Sequence, residues 1–434
     1  VFKIFNFKKE NELIGIVGGG ISGLLLGHEL MRSGIDVTIW EATARLGGVV
    51  SSGDLEGLVL ERGPQRMRLT SQVKELIKEV GLQEEVVLGP THLPLLVYCR
   101  GKLREAPLTL SQFATTDLLP LPSKLRVLAE ILTAGAGAEE TVGQFFRRKF
   151  GVVAYENFLG PLYGGLYGSD PDRMLVRSAL AERLTEAGIR RSIVWGVWGR
   201  TRRNSIVAAP CSFKTGLGAL PDALGRKLGK RIQLKHPVQS VHRQGKGWRV
   251  VFKEREDVLV DAVVLACPAE QAGNIIKNEC PQAANLWRQM NYNKLVICHM
   301  KSDLELRGLG YQVGLGESLE TRGVTCNHSL FGRKGLYTAF LGGMKNPQLV
   351  ESSDEEIASI AISEFEKITG SKAVSLGVSR TQIPAWDLSW KDHNKAQLPE
   401  GLFVCSNYAG RPGIQGRIQQ ATLLSKKLRS LLPK

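Results

Sequence analysis

The sequence predicts an α/β protein: a parallel sheet assembled from separated stretches of chain, joined to a mixed α+β unit and a helical unit. Three observations carry that prediction. A short apolar strand runs into a glycine cluster, "GIVGGGISGL" at 15–24, and a second strand follows one helix later. The texture from about 118 to 200 is helical, in "LPSKLRVLAEIL", "TVGQFFRRKFG" and "SALAERLTEAG". Buried strands then return late, at 262–267 and again in the tail.

Residues 13–17, LIGIV, form the first strand. Gly18, Gly20 and Gly23 then fit GxGxxG, "ISGLLLGHELMRSG" continues as a helix ending at Gly34, and "DVTIW" closes on Glu41. That order defines a dinucleotide-binding unit. Gly18 makes the tight turn, Gly20 lets the backbone approach a pyrophosphate, and Gly23 lets helix and strand pack closely, with Ile21 and Ser22 opening the helix. The pyrophosphate would sit at the helix N-terminus, and Glu41 would accept from the ribose hydroxyls. The following "EATARLGG", with Ala42, Arg45, Gly47 and Gly48, resembles the extension by which flavoproteins of the glutathione reductase type wrap FAD, so FAD is expected rather than NAD.

"LVLERGPQRM" is a strand running into a turn at Gly63 and Pro64, and "SQVKELIKEVG" is an amphipathic helix stopped by Gly81. "LLVYCRGKL" reads as a hairpin turning at Arg100 and Gly101. Ala262 to Cys267 is a buried strand ending at Pro268, and "SDEEIASIAISEFEKITG" is a helix capped by Ser353. The tail is strand, glycine-rich turn and helix; its start near Gly413 and Ile414 would face the ring of the cofactor and stabilise charge that builds on reduction. The expected FAD-binding domain is therefore discontinuous, at 11–70, 206–272 and 383–434. A substrate domain is expected at 71–117 and 273–382, and a helical, membrane-associated subdomain at 118–205.

Fifty-seven Lys and Arg against 42 Asp and Glu give a net charge of +15, which suggests an anionic partner. No nucleic-acid module accompanies the charge, so nucleic acid is not expected. No apolar run approaches the roughly 18 residues that span a bilayer. The seven cysteines include no CxxC pair and the seven histidines no ligand spacing, so free thiols in a reducing compartment and no metal are expected. His28 and Cys405 read as structural, and the opening "VFKIFNFKKENE" as a surface arm.

Together the motifs resemble the protoporphyrinogen oxidase family, within the flavin amine oxidase superfamily. The resemblance covers nearly the whole chain: "GGGISGL", "EATARLGG", "LERGPQRMR", "FLGPLYGGLYGSDPDRM", "SFKTGLGALPDAL", "VVLACPAE", "NHSLFGRKGLYTAFLGG", "QIPAW" and the tail. It implies oxidation of a porphyrinogen to the porphyrin in heme biosynthesis, by successive hydride transfers to non-covalent FAD, with dioxygen or another acceptor reoxidising it. No catalytic residue is assigned. By resemblance, Val238 meets the adenine, Ala266, Cys267 and Pro268 line the isoalloxazine, and Gly63, Pro64, Trp386, Asn407, Gly413 and Ile414 lie near the flavin. Leu309 and Gln312 of "GLGYQV" are candidate substrate residues, with Gly165 at the cavity wall.

Three departures stand out. Leu95 occupies the position where many members carry a basic residue for a substrate propionate, with Arg66 or Arg68 as substitutes. Ser406-Asn407 replaces the usual Gly-Asn, and the next loop, "AGRPGIQGRI", is reworked. A coproporphyrinogen III oxidase, a flavin amine oxidase with Tyr408 and Trp386 facing the flavin, and a non-enzymatic relative remain alternatives. "RRSIVWGVWGRTRRN" and "FFRRKF" mix arginines with large aromatics, which suggests peripheral membrane contact. The expected location is cytoplasmic or peripherally membrane-attached, with a homodimer as a further expectation.

Overall fold

The computed structural model describes residues 13–431 apart from 138, 181–183, 186–191 and 197–207. A five-stranded parallel sheet runs in the order Ile232–Leu234, Asp36–Glu41, Leu13–Val17, Ala262–Leu265, Leu402–Val404. Its strands therefore come from four distant parts of the chain, and the discontinuous dinucleotide-binding fold is what the sequence implies. The two central strands are apolar on both faces because both faces are covered. Ile14, Ile16 and Val264 pack with helix Ile21–Arg32, helix Ala219–Leu228 and the tail helix Ile414–Leu431. Val17, Val263 and Leu265 join Val241, Trp248 and Val250 of a three-stranded antiparallel layer.

A seven-stranded mixed sheet forms the second unit, in the order Val374–Pro384, Tyr292–Lys301, Leu336–Gly342, Thr321–Cys326, Gly310–Val313, Leu95–Cys99, Lys102–Glu105. The last two strands are the expected hairpin, and Arg100 (φ 50°) and Gly101 (φ 71°) supply the two positive dihedrals that its tight turn requires. Helix Asp354–Thr369 covers one face: Val296, Cys298, Tyr311, Val324, Tyr337 and Ala339 pack against its Ile357, Ala361 and Phe365. Ser353 Oγ accepts from Glu356 N (3.2 Å), and Gly370 closes that helix in the left-handed region.

In the helical unit, "FFRRKF" does not present an aromatic, basic surface. It lies in helix Val142–Phe150, where Phe145, Phe146 and Phe150 are buried. Arg147 pairs with Asp172, Arg148 with Glu140 and Lys149 with the fully buried Glu130. The amphipathic period turns the rings inward and leaves each cation beside a carboxylate. The opening arm, much of "SALAERLTEAG" and all but a few residues of "RRSIVWGVWGRTRRN" lie outside the described residues.

Candidate functional site

The site is built at the carboxyl edge of the parallel sheet, where strand ends at Val17, Glu41, Leu265 and Val404 converge. Gly18 has φ 116° and donates to Trp40 O (2.8 Å), locking the turn to the neighbouring strand. A Cβ on Gly23 would stand 2.0 Å from Gly18 O, so helix and turn meet with no room for a side chain. Gly20 differs: a Cβ there meets nothing within 4 Å. The helix that Gly20 opens has no side-chain cap and no acidic residue in its first turn. Buried Ile21 and Ser22 thus start a helix whose positive end faces open space.

The extension folds back onto this turn. Gly47 N donates to Gly19 O (2.9 Å), Gly20 and Gly47 form a bridge, and Gly48 approaches Gly20 closely enough that a Cβ would lie 3.4 Å from its Cα. Both have positive φ, 94° and 61°. Arg45, expected to hold the cofactor, donates to Gly48 O (2.8 Å) and so pins the loop that carries it. Glu41 accepts from Gly19 N (2.8 Å), Thr43 N (2.8 Å) and Thr43 Oγ1 (2.7 Å), so its carboxylate is aimed at the turn and already partly engaged. Ala42 is exposed beside it. His236 N donates to Glu41 O (2.9 Å), which brings the half-buried Val238 alongside. Gly63 packs directly on Val49, whose O would lie 1.9 Å from an added Cβ, and Pro64 follows, half-buried.

A second set meets at Ala266–Pro268. Ser406 Oγ donates to Cys267 O (2.9 Å), Ala269 N donates to Tyr292 Oη (3.0 Å), and Tyr292 Oη donates to Asn407 Oδ1 (3.2 Å). Burial pushes the Cys267 thiol up to about 12, so it is not a nucleophile at neutral pH. The Cys405 thiol is raised likewise, and its Sγ points at Ser22 O (3.8 Å) within the core. Gly413 has φ 85° with open space around a would-be Cβ, while Ile414 is buried against the first helix. Trp386 has φ 54°, a costly conformation for a bulky residue, and stacks on Trp390 at 4.8 Å. Tyr408 packs on Trp287 rather than on Trp386.

Arg417 carried no signal that sequence reasoning could use, yet it organises the reworked tail loop. It is buried, donates to Ser406 O, Arg411 O and Gln420 Oε1, and burial lowers its pKa to about 10. The sequence also gave no sign of a buried polar cluster at Glu61. Its carboxylate accepts from Ser52 Oγ, Ser212 Oγ, Leu217 N and Arg333 Nη2 (3.1 Å). Gln65 Nε2 donates to Glu61 O (3.0 Å), and Asn327 Nδ2 donates to Gln65 Oε1 (3.1 Å) and Thr338 Oγ1 (3.0 Å). These bonds join the loop after the turn at Gly63 to the seven-stranded sheet.

The face of that sheet opposite helix Asp354–Thr369 forms the other wall. Register puts Gln312, Gly323 and Phe340 in one row and Gly310, Thr325 and Thr338 in the next. Gly165, on helix Gly160–Tyr167, lies against Gln312, whose Oε1 would be 1.9 Å from a Cβ there. Leu309 N donates to Pro94 O (2.8 Å), and the register sets Leu95 opposite Gly310, the residue after Leu309. Arg68 is exposed and donates to Ala208 O (3.0 Å). Arg66 is half-buried without an ion pair or hydrogen bond among the described residues, and burial, then Arg68, lowers its pKa. His28, Glu29 and Glu79 come within 4.8 Å of one another, but Arg32 bonds Glu79 at 2.7 Å and supplies the positive charge there.

A glycine turn gripped by a second glycine pair at the edge of a parallel sheet is the mark of an oxidoreductase that holds a dinucleotide. Comparison with known families narrows the class. Residues 21–400 match the flavin containing amine oxidoreductases, and the chain belongs to that family, so its cofactor is a flavin. It is 27% identical over 473 residues to protoporphyrinogen oxidase, chloroplastic, of Oryza sativa subsp. japonica, covering 95% of this chain and 88% of that protein. It is 27% identical over 281 residues to coproporphyrinogen III oxidase of Staphylococcus aureus, covering 59% of this chain and 60% of that one. The crystal structure of a candidate protoporphyrinogen oxidase from Exiguobacterium sp. 255-15 shares the fold, with a TM-score of 0.80, 22% identity and 97% and 99% of the two chains covered.

Proposed function

We propose that this protein is an FAD-dependent oxidase converting protoporphyrinogen IX to protoporphyrin IX in heme biosynthesis, with dioxygen as acceptor. The observation that carries the reading is the open, uncapped helix start at Gly20 beneath Gly47 and Gly48, in a chain that aligns over 95% of its length with a protoporphyrinogen oxidase. The residues fit FAD. Backbone N–H groups at Gly20–Gly23 would receive the pyrophosphate, Glu41 the ribose, Val238 the adenine, and Ala266–Pro268, Trp386, Asn407 and the Gly413–Ile414 helix start would border the ring. When bound, the flavin supplies the two-electron acceptor.

The chain's own part is to hold and orient. Gly165 leaves room for Gln312 to lie against helix Gly160–Tyr167, and Leu95 and Leu309 give the macrocycle an apolar surface that excludes water. The half-buried Arg66, without an ion pair or hydrogen bond among the described residues, is a candidate partner for a substrate carboxylate. Buried Cys405 and raised Cys267 speak for non-covalent flavin.

Peripheral membrane contact belongs to the same proposal. No helix among the described residues is long and apolar enough to cross a membrane. Leu121, Leu125 and Leu132 are 70%, 60% and 85% exposed on one helical segment, an apolar patch suited to a membrane surface, while its half-buried Lys124 and Arg126 donate to Ala114 O (2.7 Å) and Lys149 O (2.9 Å). Leu121→Ser with Leu125→Ser should reduce cosedimentation with anionic vesicles; unchanged cosedimentation would contradict this.

The test of the reaction is an absorption spectrum of the purified protein, followed by porphyrin fluorescence after adding protoporphyrinogen IX, beside coproporphyrinogen III, under air. Yellow protein with fluorescence rising well above autoxidation, faster for protoporphyrinogen, is expected. Yellow protein without acceleration of either substrate would overturn the reaction and turn attention to amines.

A further inference from the structure

Tyr292 opens strand Tyr292–Lys301 of the seven-stranded sheet, yet its hydroxyl bonds two segments at the carboxyl edge of the parallel sheet. Those two segments leave that sheet together. Cys405 N donates to Leu265 O (3.0 Å) and Ser406 Oγ to Cys267 O (2.9 Å), so Asn407 is held beside Ala266–Pro268. The glycine turn flanks the same stretch on its other side, since a Cβ on Gly18 would stand 3.0 Å from both Ala266 C and Cys267 N. Asn407 therefore lies at the edge that receives the dinucleotide, two strands along from the turn.

One proton decides which way the Asn407 amide faces. Ala269 N donates to Tyr292 Oη (3.0 Å), so Oη is an acceptor there and its own proton has to go elsewhere. It goes to Asn407 Oδ1 (3.2 Å). Burial raises the Tyr292 pKa, so the hydroxyl keeps the proton that it donates. With Oδ1 committed, the amide presents Nδ2, which makes no hydrogen bond among the described residues although Asn407 is half-buried. The Tyr292 ring is braced in turn: it packs on Trp390 at 6.0 Å, and Trp390 Nε1 donates to Asn291 O (3.0 Å).

We propose that Tyr292 is a positioning residue for the flavin: its hydroxyl holds the Asn407 amide so that Nδ2 donates to the ring, where negative charge collects on reduction. An N–H fixed in place before the electrons arrive favours the reduced ring over the oxidised one and needs no reorganisation as the charge develops. Tyr292 thereby raises the potential at which the ring accepts electrons. The proposal rests on the placing of the flavin ring beside Ala266–Pro268 and Asn407, and not on which substrate reduces it.

The experiment is a reductive titration of the holoprotein with dithionite beside a reference dye, for wild type, Tyr292→Phe, Asn407→Ala and the double variant, with thermal melting of each. Tyr292→Phe removes one oxygen and keeps the ring. It should lower the flavin midpoint potential by about 30 mV, a tenfold change in the two-electron equilibrium, and Asn407→Ala should lower it at least as much, with the double variant no lower than Asn407→Ala. Where Asn407→Ala does not retain flavin, Asn407→Asp, which keeps an acceptor for Tyr292 Oη and removes the donor, should lower the potential in its place. An unchanged potential in Tyr292→Phe, additive shifts in the double variant, or a lower melting temperature with no change in potential would overturn the positioning role. Wild type whose flavin shows these shifts but which oxidises no porphyrinogen keeps the positioning role and removes only the reaction, whereas a protein purified without flavin removes both.

Discussion

The glycine turn and the sheet wall serve one site but are specified in opposite ways. At the turn, residues 18–23 and 41–48 are near neighbours in sequence, and backbone contact dictates which residue can stand at each position. On the wall, Gln65, Leu95, Gly165 and Gln312 come from four segments, and each is defined by a partner brought in from elsewhere in the chain. Gly165 matters because Gln312 lies against it, a fact that no local motif records. The turn is a rigid part that many chemistries can share, whereas the wall is where a particular substrate is chosen.

The sharpest way to break this contrast lies within the turn itself. Gly23→Ala drives a methyl to 2.0 Å from Gly18 O, against backbone that cannot rotate away, so it should unfold the first unit or lower its thermal midpoint by many degrees. Gly20→Ala adds a methyl to open space at an ordinary negative φ (−67°), so stability should stay within about 0.5 kcal/mol while flavin affinity falls at least about tenfold. Equal loss of stability in the two variants, read by thermal melting beside flavin absorbance, would contradict the open cradle.

Next in size is the link between turn and wall. Arg333→Met leaves the fully buried Glu61 carboxylate without its cation and should cost about 3–5 kcal/mol in denaturant unfolding. Adding Glu61→Gln should recover part of that loss, and a loss under about 1 kcal/mol for Arg333→Met would show the pair to be dispensable.

On the wall, burial, then Arg62 and Arg333, depress the His299 pKa to about 4. The folded state refuses a proton that the unfolded state accepts below about 6.5, so stability is full above that pH and falls as pH drops toward 4. The loss should be a few kcal/mol by pH 4, at about 1.4 kcal/mol per unit. His299→Gln should flatten the pH dependence between 6.5 and 4; an unchanged slope would assign it elsewhere.

The smallest effect is expected at Gly165→Ala, because the clash is with the end of a flexible side chain. Gln312 should swing aside with less than about 1 kcal/mol of destabilisation, and KM for the porphyrinogen should change more than the melting temperature.

These differences explain what could be read in advance. The strand, GxGxxG, helix and Glu41 order, the hairpin turn at Arg100 and Gly101, and the caps at Ser353 and Gly370 are local and were legible. Strand Ile232–Leu234 joining the parallel sheet, the Arg333–Glu61 pair and Arg417 clamping the tail loop depend on long-range packing and were not. Arg45 shows the limit at a legible motif: the motif names the residue, but the bond that Arg45 makes to Gly48 O in its own loop is read only from the fold. "FFRRKF" shows the same limit, since composition cannot reveal that each cation already has a carboxylate beside it.

The most direct measurement is a single anaerobic turnover: one equivalent of protoporphyrinogen IX is mixed with the yellow protein, following the flavin absorption band and porphyrinoid fluorescence together, before air is admitted. Flavin bleaching in step with loss of the porphyrinogen, recovery of the yellow band in air and porphyrin appearing over further turnovers are the expected result. Flavin that stays oxidised while the porphyrinogen persists would contradict the assignment of this chain as a porphyrinogen oxidase.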